Sequence, residues 1–176
     1  ILVGVVIIYF FRNQIFRSFY APTETKLEQG ITEEKAETED IEVIAENLAI
    51  PWEIAFLPDG DLLVTERPGT LKRIGKEGRA YTIEGVEHIG EGGLLGMALH
   101  PQFLKNGWLY LYLTTKNGDV LINRVERYRF EGDHLSEKKT VIDKIPGAEY
   151  HDGGRIAFGP DGYLYITTGD AGNSTL

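Results

Sequence analysis

Tyr150-His151-Asp152-Gly153-Gly154-Arg155-Ile156-Ala157-Phe158-Gly159-Pro160-Asp161-Gly162-Tyr163-Leu164-Tyr165-Ile166-Thr167-Thr168-Gly169-Asp170 is the stretch on which the reading of the fold turns. Two runs of aromatic and β-branched residues flank Gly159-Pro160-Asp161-Gly162. Proline presets the first turn dihedral and Gly162 tolerates positive φ, so the stretch predicts a β-hairpin. With the turn centred between Pro160 and Asp161, His151 falls opposite Asp170; a one-residue bulge at Gly162 would shift the pairing by one. In either register an imidazole and a carboxylate leave the open end of the hairpin side by side. A carboxylate that holds one ring nitrogen leaves the other to take a proton. A histidine near an aspartate at a strand end is also an ordinary surface hydrogen bond, and the spacing alone leaves both readings open.

The hairpin is repeated upstream. Ile54-Ala55-Phe56-Leu57-Pro58-Asp59-Gly60-Asp61-Leu62-Leu63-Val64-Thr65 matches Ile156-Ala157-Phe158-Gly159-Pro160-Asp161-Gly162-Tyr163-Leu164-Tyr165-Ile166-Thr167. Between them lies a looser copy, Met97-Ala98-Leu99-His100-Pro101-Gln102-Phe103, followed by Trp108-Leu109-Tyr110-Leu111-Tyr112-Leu113-Thr114. From Ile54 to Met97 to Ile156 the steps are 43 and 59 residues, close to one propeller blade of about 40–50 residues plus loop insertions. Trp108, Tyr110 and Tyr112 would point to one face of their strand and Leu109, Leu111 and Leu113 to the other. A strand apolar on both faces suits a blade covered by neighbours on each side better than a half-exposed sandwich. Val120-Leu121-Ile122 through Tyr128-Arg129-Phe130 and Thr140-Val141-Ile142 supply outer strands. The expected fold is therefore all-β, two propeller blades and the start of a third over residues 41–176, too few to close a ring and not expected to fold stably alone.

The net charge of -9 is concentrated before this region. From Glu24 to Glu46 nine acids face Lys26 and Lys35, a net of -7, which leaves the remainder close to neutral. Such a surface lacks the basic face that nucleic-acid binding requires. Residues 21–40 hold too little apolar surface to offset chain entropy and predict a flexible acidic linker. Before it, Ile1-Leu2-Val3-Gly4-Val5-Val6-Ile7-Ile8-Tyr9-Phe10-Phe11 is uncharged, and eleven helical residues reach about 16 Å of the roughly 30 Å of hydrocarbon. Residues 1–20 are thus expected to be the end of a transmembrane helix. An uncleaved anchor fits better than a signal peptide because no small-residue cleavage pattern follows. Arg12 and Arg17 by themselves would keep the following side in the cytoplasm. Starting inside an apolar run and stopping soon after Asp170, the sequence reads as the N-terminal part of something longer. The absence of cysteine excludes disulfides and thiolate metal sites.

Other polar positions are weaker signals. Gly90-Glu91-Gly92-Gly93-Leu94-Leu95-Gly96 leads into the second blade, where dense glycine lets backbone crowd a ligand or turn a corner. Glu66 and Arg67 are expected to pair with each other or with neighbouring blades, and His100 to be a turn residue. No calcium-loop, zinc or phosphate-loop spacing is present.

Three strings occur in a telling order: Ile50-Pro51-Trp52-Glu53-Ile54-Ala55-Phe56-Leu57-Pro58-Asp59-Gly60 with Leu63-Val64-Thr65-Glu66-Arg67; Glu91-Gly92-Gly93-Leu94-Leu95-Gly96 with His100-Pro101-Gln102-Phe103; and His151-Asp152-Gly153-Gly154-Arg155 with Gly169-Asp170. Together they resemble the glucose/sorbosone dehydrogenase family, soluble aldose dehydrogenases that use pyrroloquinoline quinone (PQQ) on a six-bladed β-propeller. The resemblance implies that His151 is the general base, taking the proton of the anomeric hydroxyl while hydride leaves C1, and that Asp170 orients it. Glu91 falls where the family's glucose enzyme has a glutamine near the sugar; a carboxylate accepts from hydroxyls but cannot donate, so sugar preference would differ. Tyr150 and Asp152 border the base and are expected to touch substrate. The family's cofactor-gripping cations and its Ca²⁺ ligands belong to later blades. The periplasmic or outer face is implied too, since the cofactor is used there, with an aldose as substrate and an electron acceptor that the sequence does not identify. Two alternatives stand beside this one. The first is a non-catalytic propeller kept for binding; the second is a metal-dependent lactonase-type propeller, which would need a carboxylate cluster around the channel.

Overall fold

The computed structural model describes residues 42–75 and 78–173. The chain divides into two units, 1–42 and 43–176, and every described element lies in the second. The expected transmembrane helix end and acidic linker fall outside the described residues, among which no helix is long and apolar enough to cross a membrane.

Among the described residues ten strands and one short helix follow in order: β1 (Pro51–Phe56), β2 (Leu62–Glu66), β3 (Thr70–Ile74), β4 (Arg79–Thr82), β5 (Leu94–Leu99), α1 (Phe103–Asn106), β6 (Trp108–Asn117), β7 (Val120–Glu131), β8 (His134–Pro146), β9 (Gly153–Phe158) and β10 (Leu164–Thr168). They form two four-stranded sheets, β1-β2-β3-β4 and β5-β6-β7-β8, and a two-stranded sheet, β9-β10. All pairs are antiparallel. This is an all-β arrangement consistent with part of a β-propeller: two full blades and one hairpin.

The repeated turns are repeated structure. In the first blade Leu57 N–H donates to Asp61 O (2.8 Å) and Gly60 N–H to Leu57 O (3.0 Å). In the third, Gly159 N–H donates to Tyr163 O (2.9 Å) and Gly162 N–H to Gly159 O (3.0 Å). Asp59 and Asp161 each accept through Oδ1 from the backbone N–H two residues on, at 3.2 and 3.1 Å. A short polar side chain that mimics a backbone turn in this way is why aspartate suits both positions.

The two faces of β6 build two cores. Leu109, Leu111 and Leu113 pack with Leu57, Leu63, Leu71, Leu94 and Met97 between the first and second sheets. Tyr110 and Tyr112 pack with Leu95, Val125 and Ile156 between the second and third, with Trp108 and Phe158 against them. Burying each such side chain contributes about 1.5–3 kcal/mol, so adjacent blades hold each other mainly by apolar area. Polar links fix the stacking. Thr65 Oγ–H donates to Leu95 O across the first interface (2.7 Å), and Arg73 joins Asp59 (2.6 Å) and Asp61 (2.7 Å) of its own sheet to Asp133 of the next (3.1 Å). His100 does sit in a turn, accepting from Gln102 N–H through Nδ1 (3.0 Å). Its ring also meets Trp108 and Phe158 edge-on, at 5.2 and 5.3 Å, so it belongs to the second interface as well.

Candidate functional site

The loops ahead of β5 and β9 meet, with Glu91 N–H donating to Glu149 O. The loop 147–152 delivers His151 to the start of β9, and the residues after β10 deliver Asp170 beside it. Near the turn, Leu164 pairs with Phe158, Tyr165 with Ala157 and Ile166 with Ile156, one position out of the simple turn-centred register. An irregularity between Ile166 and Thr168 then restores it, so Thr168 faces Gly153. Two opposite one-residue shifts cancel, and His151 lands opposite Asp170. A slip of this kind re-aims side chains without ending the pairing.

His151 Nδ1 and Asp170 Oδ1 are 2.9 Å apart. The same oxygen accepts Gly172 N–H at 2.9 Å. The hydrogen bond from His151, then that from Gly172, hold the Asp170 carboxyl below the usual carboxylate range. An ionised carboxylate can only accept, so Nδ1 carries a proton, and in the neutral form of the ring the lone pair is on Nε2. The His151 side chain is 58% exposed, which leaves that lone pair open to a ligand. Both side chains line a groove of about 570 Å³ with Thr168, Gly169, Ile145 and Pro146.

The backbone at His151 is unusual: φ is 61°, a left-handed conformation uncommon for any residue but glycine. Three backbone contacts hold it. His151 N–H donates to Glu91 Oε2 (2.8 Å), Ala171 N–H donates to His151 O (3.2 Å), and Gly169 packs so closely that a Cβ there would lie 1.7 Å from His151 O.

The other expected site residues are placed differently. The Tyr150 ring stands edge-on to the imidazole at 5.1 Å and is half exposed, so it borders the base. Glu91 reaches the base through its backbone. Asp152 corrects the expectation that it touches substrate. It is 2% exposed, and its Oδ1 accepts Asn123 Nδ2–H (2.9 Å) and Ala148 N–H (3.0 Å), turned into the second blade. Both residues lie in the loop before β9, where Asn123 and the Ala148 N–H draw the Asp152 carboxylate inward while the His151 ring stays exposed. Asn123 and Tyr112, whose hydroxyl donates to Asp152 O at 2.9 Å, complete this support and were not foreseen. Only the polar position of Asn123 inside an apolar strand hints at it. Arg67 pairs with the neighbouring blade rather than with Glu66: its guanidinium donates to Gly90 O and Gly92 O, while Glu66 meets Lys72 (2.8 Å).

The groove wall supplies an open base beside largely uncharged groups, which fits the proton-accepting part of a quinone site. None of the groove-lining residues is a lysine or arginine that would receive the cofactor's carboxylates. No group of three or more His, Asp or Glu among the described residues is arranged to hold a metal ion.

Stacked antiparallel sheets with an aspartate-held imidazole at the loop end are consistent with part of a β-propeller. A family model described as Glucose / Sorbosone dehydrogenase matches residues 48–176, and the chain belongs to that family. It is 33% identical to quinoprotein glucose dehydrogenase B of Acinetobacter calcoaceticus over 81% of this chain and 33% of that protein. The PQQ-bound aldose sugar dehydrogenase of Streptomyces coelicolor superimposes with a TM-score of 0.69 at 40% identity, covering 77% of this chain and 42% of that one. Hedgehog-interacting protein of Mus musculus is 30% identical over 74% of this chain and 22% of its own length. The chain spans roughly a third of the length of the sugar dehydrogenases it matches among curated relatives.

Proposed function

We propose that the full-length protein oxidises aldose sugars at C1 to lactones with PQQ as oxidant, on a six-bladed propeller of which the described sheets are the first part. The observation that carries this is the His151–Asp170 pair, with Nδ1 held at 2.9 Å and the other nitrogen open to the groove. His151 Nε2 takes the proton of the anomeric hydroxyl. Asp170 keeps the imidazole in the tautomer that can accept it and stabilises the imidazolium once formed. Tyr150 limits the imidazole on one side, and Ile145 with Pro146 forms an apolar part of the groove wall. PQQ, when bound, supplies the acceptor for the hydride leaving C1. The residues that grip it, and the Ca²⁺ that the family reading adds, are not supplied by the groove described above.

The full-length protein, reconstituted with PQQ and Ca²⁺ and assayed with an artificial electron acceptor, is expected to oxidise aldoses. His151→Ala should lower turnover by about 10²–10⁴-fold, the usual worth of a positioned base, while still binding PQQ. Unchanged turnover in that variant would remove His151 from its role. The similarity to a Hedgehog-interacting protein favours a second reading, a binding propeller without turnover. An inactive full-length protein that takes up no PQQ would select it.

A further inference from the structure

We propose that Glu91 is a positioning residue for His151, holding the base by its backbone rather than reading the sugar. The inference rests on the assignment of His151 as base. The loop ahead of β5 and the loop ahead of β9 are clipped together twice: Glu91 N–H donates to Glu149 O (2.7 Å), and His151 N–H donates to Glu91 Oε2 (2.8 Å). Gly90 makes that approach possible, because a Cβ there would lie 1.9 Å from Glu149 O. The glycine-dense stretch therefore crowds backbone against backbone.

Glu91 is itself held from the first blade. The Arg67 guanidinium donates to Gly90 O and Gly92 O, the carbonyls on either side of it, and Arg67 O accepts Leu94 N–H (2.9 Å). A line of contacts thus runs from Arg67 through Glu91 to the His151 N–H. A residue at φ 61° keeps that conformation only while its surroundings impose it. Releasing the N–H frees His151 to relax toward ordinary φ, which swings the imidazole off Asp170. The carboxylate accepts a hydrogen bond from a backbone N–H here, a task an amide oxygen can also do, so glutamine should substitute and alanine should not.

The test uses full-length protein labelled with ¹⁵N-histidine, PQQ-loaded for kinetics and unloaded for NMR. In Glu91→Ala the kcat is expected to fall about tenfold to a hundredfold, the scale of a misplaced catalytic group, with KM for the sugar little changed. The downfield Nδ1–H resonance of His151 should weaken or vanish. Glu91→Gln should keep both, and Arg67→Met should weaken the resonance from a distance. Because Glu91 is exposed, thermal unfolding of Glu91→Ala should stay cooperative and shift by no more than the loss of one hydrogen bond accounts for. A changed KM or sugar preference with the ring resonance intact would overturn the proposal in favour of a substrate contact. Unchanged kcat and resonance would overturn it outright. If wild type oxidises no aldose, the proposed activity fails; loss of the resonance in Glu91→Ala and its survival in Glu91→Gln would still establish the positioning.

Discussion

At His151 a left-handed backbone costs on the order of 1–3 kcal/mol. The hydrogen bonds of its N–H and its carbonyl are worth about 0.5–1.5 kcal/mol each, so together they can match that cost. The ring bond also makes stability depend on pH. The folded-state pKa of Asp170 is depressed. Its contribution is therefore complete above the unfolded carboxylate value of about 4 and is lost as pH falls through the lower folded value. Urea unfolding of wild type and Asp170→Asn should differ at neutral pH by an amount that stays level down to about pH 5 and closes below about pH 4. A difference that persists undiminished at lower pH would show that Asp170 acts through packing instead. The pairing of these two residues was legible from the hairpin itself. The inward turn of Asp152 was not, since it depends on Asn123 and Ala148, 29 and 4 residues away.

At the level of the element, β6 shows what periodicity can and cannot say. Its alternation of aromatic residues and leucines follows from the two-residue repeat of a strand, and both faces are indeed buried. Leu111 is fully buried in the first interface. Leu111→Ala should cost about 2–5 kcal/mol of unfolding free energy in the full-length protein, measured by urea titration. A loss below about 1 kcal/mol, less than removal of a few buried methylenes, would mean the blades do not pack through this face. The double register shift of the β9-β10 hairpin was not readable in the same way. Turn chemistry suggested one shift at Gly162, but the compensating slip before Thr168 arises where the strand meets the loop holding His151.

Across the whole molecule, the sheets bury one another's inner faces and leave the outermost ones open. Ile54 (55%) and Phe56 (76%) on β1, and Tyr163 (72%) and Tyr165 (57%) on the third hairpin, are exposed. Large apolar patches drive association. The polypeptide 43–176 expressed by itself should therefore self-associate and bind a hydrophobic dye, as light scattering and fluorescence would show; a monodisperse, dye-free monomer would contradict this. The sequence by itself determined the blade repeat, the two-faced strands, the two Pro-Asp-Gly turns and the meeting of His151 with Asp170. All of these are set by spacing along the chain and by the backbone preferences of proline, glycine and β-branched residues. Only the tertiary structure decided that Asp152 supports the loop from inside, that Glu91 bonds the backbone of the base, and that Arg67 holds Glu91. Those contacts join different blades, and which groups meet there is fixed by how the apolar faces stack rather than by any local pattern.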